Sequence, residues 1–210
     1  MHITFKSGVV ATAFFIGMAC AQSASAGTVL SENFNELPTS LTVTAVGAFS
    51  AISGTNVDVV NNGSGYGPLC AGPESGNCVD LGGTSGNPSA ILRSNSQLAA
   101  GQYLLSFDLV GSGRGQTDAT EVTFGNYDHT FTLSSADVTD GIVTDELVTL
   151  ASPGYLTFSE NDLGGNGNIG NLLDNVVIST ANSPVPEPFT LSLFGAGLAG
   201  AAALRRRKKA

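Results

Sequence analysis

Three groups of residues in this chain have types and spacings that bear on chemistry. Cys70 and Cys78 stand in "PLCAGPESGNCVDLGG". Two such thiols either oxidise to a disulfide or supply half of a zinc shell. His129 is the only histidine besides His2 and no second cysteine pair exists, so oxidation is the expectation. The bond would close a short loop, worth ~2.5 kcal/mol in the chain-entropy model. The second group is Val185-Pro186-Glu187-Pro188. Proline fixes its own φ and bars the α conformation from the residue before it, so Pro186 and Pro188 hold Glu187 extended. The third is Gly165-x-Gly167-x-x-Gly170, which spells the dinucleotide fingerprint. It lies between two strand patterns with no helix to follow, and is expected to be a hairpin loop. His129 has no nucleophile in a recognisable setting and reads as a strand surface residue. Asp145 and Glu146 would point to opposite faces of a strand, which spoils them as an acid–base pair. No catalytic residue is legible.

The elements that must position these groups begin with the two ends. Phe189 to Leu204 carries no charge and as a helix would span about 24 Å. Arg205, Arg206, Arg207, Lys208 and Lys209 follow at once, and their stems can snorkel to an interface. A membrane stop is expected, with the basic end in the cytoplasm. At the other end, one cation precedes the apolar run Val9–Ala19, and Ala24 and Ala26 then make an A-x-A site before Gly27. That pattern predicts a secretory signal peptide over residues 1–26, cut after Ala26. A lipoprotein acylated on Cys20 is the alternative. The remaining divisions are an ectodomain over 27–181 and a linker, apolar segment and basic tail over 182–210.

Between Gly27 and Pro184 the only cations are Arg93 and Arg114, against 16 acidic residues, a net charge of −14. Such a surface repels nucleic acid and anionic lipid and favours solubility and cation uptake. Nothing read in the chain requires a cofactor.

Hydrophobic periodicity in this stretch is two, not 3.6. "QYLLSFDLV" places Tyr103, Leu105, Phe107 and Leu109 on one face and Ser106 and Asp108 on the other. "TVLSENF", "LTVTAV", "NVDVV", "TEVTFG", "HTFTLS", "IVTDELVTL", "YLTFSE" and "LLDNVVIST" behave similarly, divided by Gly, Asn, Asp and Pro clusters. About ten short strands without an amphipathic helix predict an all-β sandwich or barrel.

The order of Pro-Glu-Pro element, short apolar segment and Arg-rich end resembles the PEP-CTERM sorting signal of Gram-negative bacteria. The resemblance implies that an exosortase, an integral-membrane cysteine transpeptidase, reads Val185, Pro186, Glu187 and Pro188. It then removes the anchor that ends in Arg205, Arg206 and Arg207. It further implies export across the inner membrane, transient anchoring there, and release to the cell surface or extracellular matrix. A proline linker ahead of a permanent anchor is the competing reading.

The ectodomain has a resemblance of its own. "ENF", "VDVV", "CVDLGG", "GQYLLSFDLVGSGRG" and "IGNLLDNVVIS" look like the jelly-roll ectodomain of PEP-CTERM proteins, similar to galactose-binding-like carbohydrate-binding modules. The resemblance implies a glycan or exopolysaccharide partner in a biofilm setting. The chain has no tryptophan, so a stacking platform must come from another ring. Tyr103 and Tyr155 read as core, which leaves Tyr66, in a glycine-rich loop beside Cys70, as the exposed candidate. Modules of this kind commonly hold a structural calcium where first and last strands meet. Glu32 and Asp174, beside Asn33 and Asn175, occupy the matching places. A purely structural adhesive protein and a glycan-active enzyme are the alternatives to a binding module.

Overall fold

The computed structural model describes residues 27–63, 70, 76–84 and 90–181. The sorting signal, Ala24, Ala26 and Tyr66 lie outside the described residues. Thirteen strands are formed among those described: β1 (Thr28–Glu32), β2 (Ser40–Val43), β3 (Ala45–Val46), β4 (Phe49–Ala51), β5 (Val57–Asn61), β6 (Asn77–Asp80), β7 (Ile91–Ser94), β8 (Gly101–Val110), β9 (Thr117–Phe124), β10 (Tyr127–Ser134), β11 (Gly141–Leu150), β12 (Thr157–Asn161) and β13 (Leu172–Thr180).

Two antiparallel sheets form the sandwich. One runs β11-β8-β13-β6-β5-β2, with β1 also paired to β13, and the other runs β10-β9-β12-β7-β4-β3. Most connections pass from one sheet to the other, so neighbours in sequence are seldom neighbours in a sheet. The alternation along β8 survives intact: Tyr103, Leu105, Phe107 and Leu109 are buried, and the residues between them are half-buried. Inside, a chain of rings links both sheets. Phe49 lies 6.1 Å from Phe158, Phe158 lies 5.4 Å from Phe107, and Phe107 lies 5.8 Å from Phe131. Edge-to-face contact at these separations adds to the area buried.

The structure departs from the sequence expectations at several points. Strands β4, β6 and β7 are short, between three and four residues, and glycine-rich surroundings hid their alternation. "LTVTAV" splits into β2 and β3, which belong to different sheets. The Gly165–Gly170 stretch is not a hairpin: β12 and β13 lie in opposite sheets, so this loop crosses between them. Bulges interrupt β11 between Val143 and Glu146 and β13 between Asp174 and Val177. Asp145 and Asn175, at φ 51 each, take the left-handed conformation there. A bulge resets strand alternation, so Asp145 and Glu146 are both exposed.

The disulfide is present. Cys70 and Cys78 are bonded with Cα atoms 5.6 Å apart, within the range a disulfide spans. Both pack with Val60, Val110 and Leu172 in a small apolar cluster separate from the main core.

Candidate functional site

Three segments meet at one end of the sandwich. The β8–β9 loop brings Ser112, Arg114 and Gln116, the residues after β6 bring Leu81 to Thr84, and the β12–β13 crossover brings Asp162 to Asn171. Their meeting needs glycine at two places. A Cβ on Gly82 would lie 2.6 Å from the Gly170 backbone nitrogen, so the two backbones approach too closely for a side chain.

Two cavities flank this junction. One, of about 280 Å³, is lined by Asp58, Asp80, Thr84, Arg114, Asn168 and Ile169, among others. The second, of about 400 Å³, is lined by Arg114, Gln116, Thr117, Leu163, Gly164 and Ile169, among others. Arg114 and Ile169 border both, so the pair forms one groove with a basic residue at its waist.

The groove floor is held by buried carboxylates. Asp80 Oδ1 accepts N–H from Gly82 (2.9 Å) and Gly170 (3.0 Å), and Oδ2 pairs with the Arg114 guanidinium. Burial pushes the Asp80 carboxyl up to about 7, against the downward pull of Arg114. Asp58 Oδ1 accepts from Thr42 N–H (2.6 Å) and Thr84 N–H (3.1 Å), and its Oδ2 accepts from the Thr84 hydroxyl. Behind the floor, Glu160 Oε1 accepts from Asn171 N–H (3.0 Å) and Oε2 from the Thr120 hydroxyl. Burial pushes Glu160 up to about 8, because no cation offsets the loss of water. Every oxygen of Asp58, Asp80 and Glu160 is therefore engaged by a protein donor.

The expected calcium carboxylates sit elsewhere. Glu32 ends β1 opposite Val176, where Oε1 accepts from Phe34 N–H (3.0 Å) and Oε2 from Ala48 N–H (2.8 Å). Asp174 is opposite Asp108 across β13 and β8, and its Oδ1 accepts from Asn175 N–H (2.7 Å). Asn33 Oδ1 accepts from Asn35 N–H, and Asn175 Nδ2 donates to Asp108. Among the described residues no group of three or more His, Cys, Asp or Glu is arranged to hold a metal ion.

Of the tyrosines read as core, Tyr103 is buried and its hydroxyl donates to Ala99 O (2.9 Å). Tyr155 is not core. It is half-buried just before β12, with the Arg93 guanidinium 4.4 Å above its ring. Its place in an alternating run misled the sequence reading, since the strand begins only at Thr157. His129 is exposed on β10 as expected, its ring 4.4 Å from that of Phe131. Asp80 and Arg114 lie in "CVDLGG" and "GQYLLSFDLVGSGRG", segments that carry the jelly-roll resemblance, but periodicity marks neither them nor Gln116 as site residues, because Gly- and Asn-rich loops have none.

No curated protein matches the chain at a significant level. Among solved structures, the chain is similar to the arabinose-bound MgGH51 α-L-arabinofuranosidase (TM-score 0.48, 11% identity), covering 74% of this chain and 27% of that one. It is also similar to the K1 cleaved adhesin domain of Lys-gingipain from Porphyromonas gingivalis W83 (TM-score 0.44, 18% identity, 74% and 99% covered). A third likeness is to the CBM22-1 xylan-binding domain of Paenibacillus barcinonensis Xyn10C (TM-score 0.43, 13% identity, 77% and 99% covered). The chain thus spans about a quarter of the arabinofuranosidase's length. The architecture itself rests on the two sheets and their register. Residues 184–208 match the PEP-CTERM protein-sorting motif, which implies export and a C-terminal anchoring tail processed by an exosortase.

Proposed function

We propose that this chain is an exported, exosortase-processed β-sandwich of the cell surface or extracellular matrix that binds a neutral glycan without catalysis. The observation that carries the reading is the groove at the sandwich end, whose two cavities share Arg114 and Ile169. At about 400 Å³ the second cavity has the scale of a small-ligand pocket, and the first, at about 280 Å³, lies just below it. The lining mixes amide groups of Asn166 and Asn168 with the apolar faces of Leu41, Val60 and Ile169. Amides exchange hydrogen bonds with hydroxyls in both directions, and apolar faces cover sugar C–H surfaces. The net charge of −14 over Gly27–Pro184 disfavours an acidic polymer. Non-catalytic binding is preferred to hydrolysis because the groove carboxylates Asp58 and Asp80 are tied to backbone and side-chain donors.

The test is a glycan array probed with the exported protein, compared with Asn168→Ala and Asn166→Ala. Binding to neutral polysaccharide, weakened by either substitution with unchanged melting, is the expected result. A blank array for the folded wild-type protein sinks the reading and leaves a structural or adhesive protein without a ligand site. Turnover of a bound polysaccharide, abolished by Asp80→Asn, would favour a glycan-active enzyme instead.

A further inference from the structure

Gln116 stands where four oxygens converge. Its Nε2 lies 2.7 Å from Asp118 Oδ1, 3.0 Å from Asp162 Oδ1, 3.1 Å from Ile169 O and 3.3 Å from Asn166 O. A primary amide carries two N–H hydrogens, so it serves two of these acceptors at a time. Two carboxylates and two backbone carbonyls around one point are hard oxygen donors, which suit a divalent cation better than a neutral nitrogen. An independent observation points the same way. Asp118 is 1% exposed, and its Oδ2 is buried with no hydrogen-bond partner among the described residues. A carboxylate oxygen left unpaired in a dry interior is costly, and a metal ion bound by both oxygens removes that cost.

We propose that this junction is a calcium site. Asp118 supplies both carboxylate oxygens, Asp162 supplies Oδ1, and Asn166 and Ile169 supply their carbonyls. Gln116 withdraws its amide, and the ion takes the place that Nε2 holds. These five oxygens, with water from the adjacent groove, make up the six to eight that calcium takes. Magnesium is disfavoured, since it demands near-ideal octahedral geometry and keeps several of its waters. Two carboxylates balance the charge of the ion. The site is distinct from Glu32 and Asp174, and it does not depend on glycan binding. An ion here would tie the β8–β9 loop to the β12–β13 crossover, the two walls of the groove.

The test uses the full chain in detergent, stripped with EDTA and titrated with calcium chloride by calorimetry and thermal melting. The expected result is a saturable one-to-one heat and a melting shift of several degrees that magnesium does not reproduce. Asp162→Asn and Asp118→Asn should each abolish heat and shift while still melting cooperatively, and Asp174→Asn should retain both. Asp118→Asn keeps the test informative if Asp162→Asn does not fold, because it removes a buried charge and keeps an oxygen for Leu163 N–H. Absence of saturable heat in the wild type overturns the proposal. So does binding that survives in Asp162→Asn and Asp118→Asn, or that is lost only in Asp174→Asn, which would place the ion where β1 meets β13.

Discussion

Glu160 is the residue whose chemistry departs furthest from its sequence-level appearance. On paper it is one acid among 16 between Gly27 and Pro184; in the fold it is 3% exposed and held by Thr120 and Asn171. Its folded carboxyl sits at about 8, against 4.5 for the free group, with burial as the main cause. Between those values the folded protein keeps a proton that the unfolded chain has released. Stability must therefore fall as pH rises through this window, and is greatest below about 4.5 for this group. Asp80 acts in the same direction between 3.8 and about 7, with Arg114 opposing. Glu160→Gln keeps an acceptor for Asn171 N–H and removes the titration, while the Thr120 hydroxyl turns to accept from the new amide nitrogen. It should flatten the loss of stability between pH 5 and 8 by on the order of 1 kcal/mol per pH unit. Urea melts at stepped pH measure this; equal slopes in variant and wild type would show that Glu160 titrates in neither state's favour.

At the scale of elements, stability at the functional end depends on close backbone approach and on a covalent staple. Gly82 and Gly170 let the segment after β6 lie against the crossover into β13, where both donate N–H to Asp80. Gly170→Ala forces these backbones apart and should destabilise by about 1–3 kcal/mol, the usual range for overpacking. It should also weaken glycan binding, since the groove wall moves with it; a variant that melts like the wild type would mean that the approach relaxes without cost. The Cys70–Cys78 bond ties Cys70 to β6. Cys70→Ser should cost about 2–3 kcal/mol, and both thiols of the exported protein should resist alkylation until reduced. Labelling of freshly isolated protein without reductant would contradict the bond.

For the whole molecule, the sandwich and the sorting segment answer to different physics. The sandwich is held by a core that runs between two sheets, whereas the tail carries a linear sorting motif over residues 184–208 that implies processing by an exosortase. Intact-mass analysis in an exosortase-bearing host should find a surface form that lacks Phe189 to Ala210. Glu187→Ala should stall that processing, because it removes the only charge between Pro184 and the basic end. Full-length protein as the mature surface form of the wild type would leave a permanent anchor.

What the sequence by itself determined is whatever depends on local order along the chain. The Pro-Glu-Pro element, apolar run and basic end are contiguous, and residues 184–208 match the sorting motif as a linear pattern. The all-β class followed from period-two alternation in segments such as β8, and the cysteine pair from two thiols near each other in sequence. Tertiary structure decided everything that needed distant segments to meet. Asp80 and Gly170 are 90 residues apart, and Gln116 and Ile169 are 53 apart, yet each pair is hydrogen-bonded. Loops rich in glycine and asparagine have no period that could announce such meetings. Nor do adjacent patterns reveal which strands share a sheet, so the step from β12 to β13 looked like a hairpin until the two sheets separated them. Desolvation is likewise a property of the assembled fold, which is why identical carboxylates end as exposed Glu146 and as buried Glu160.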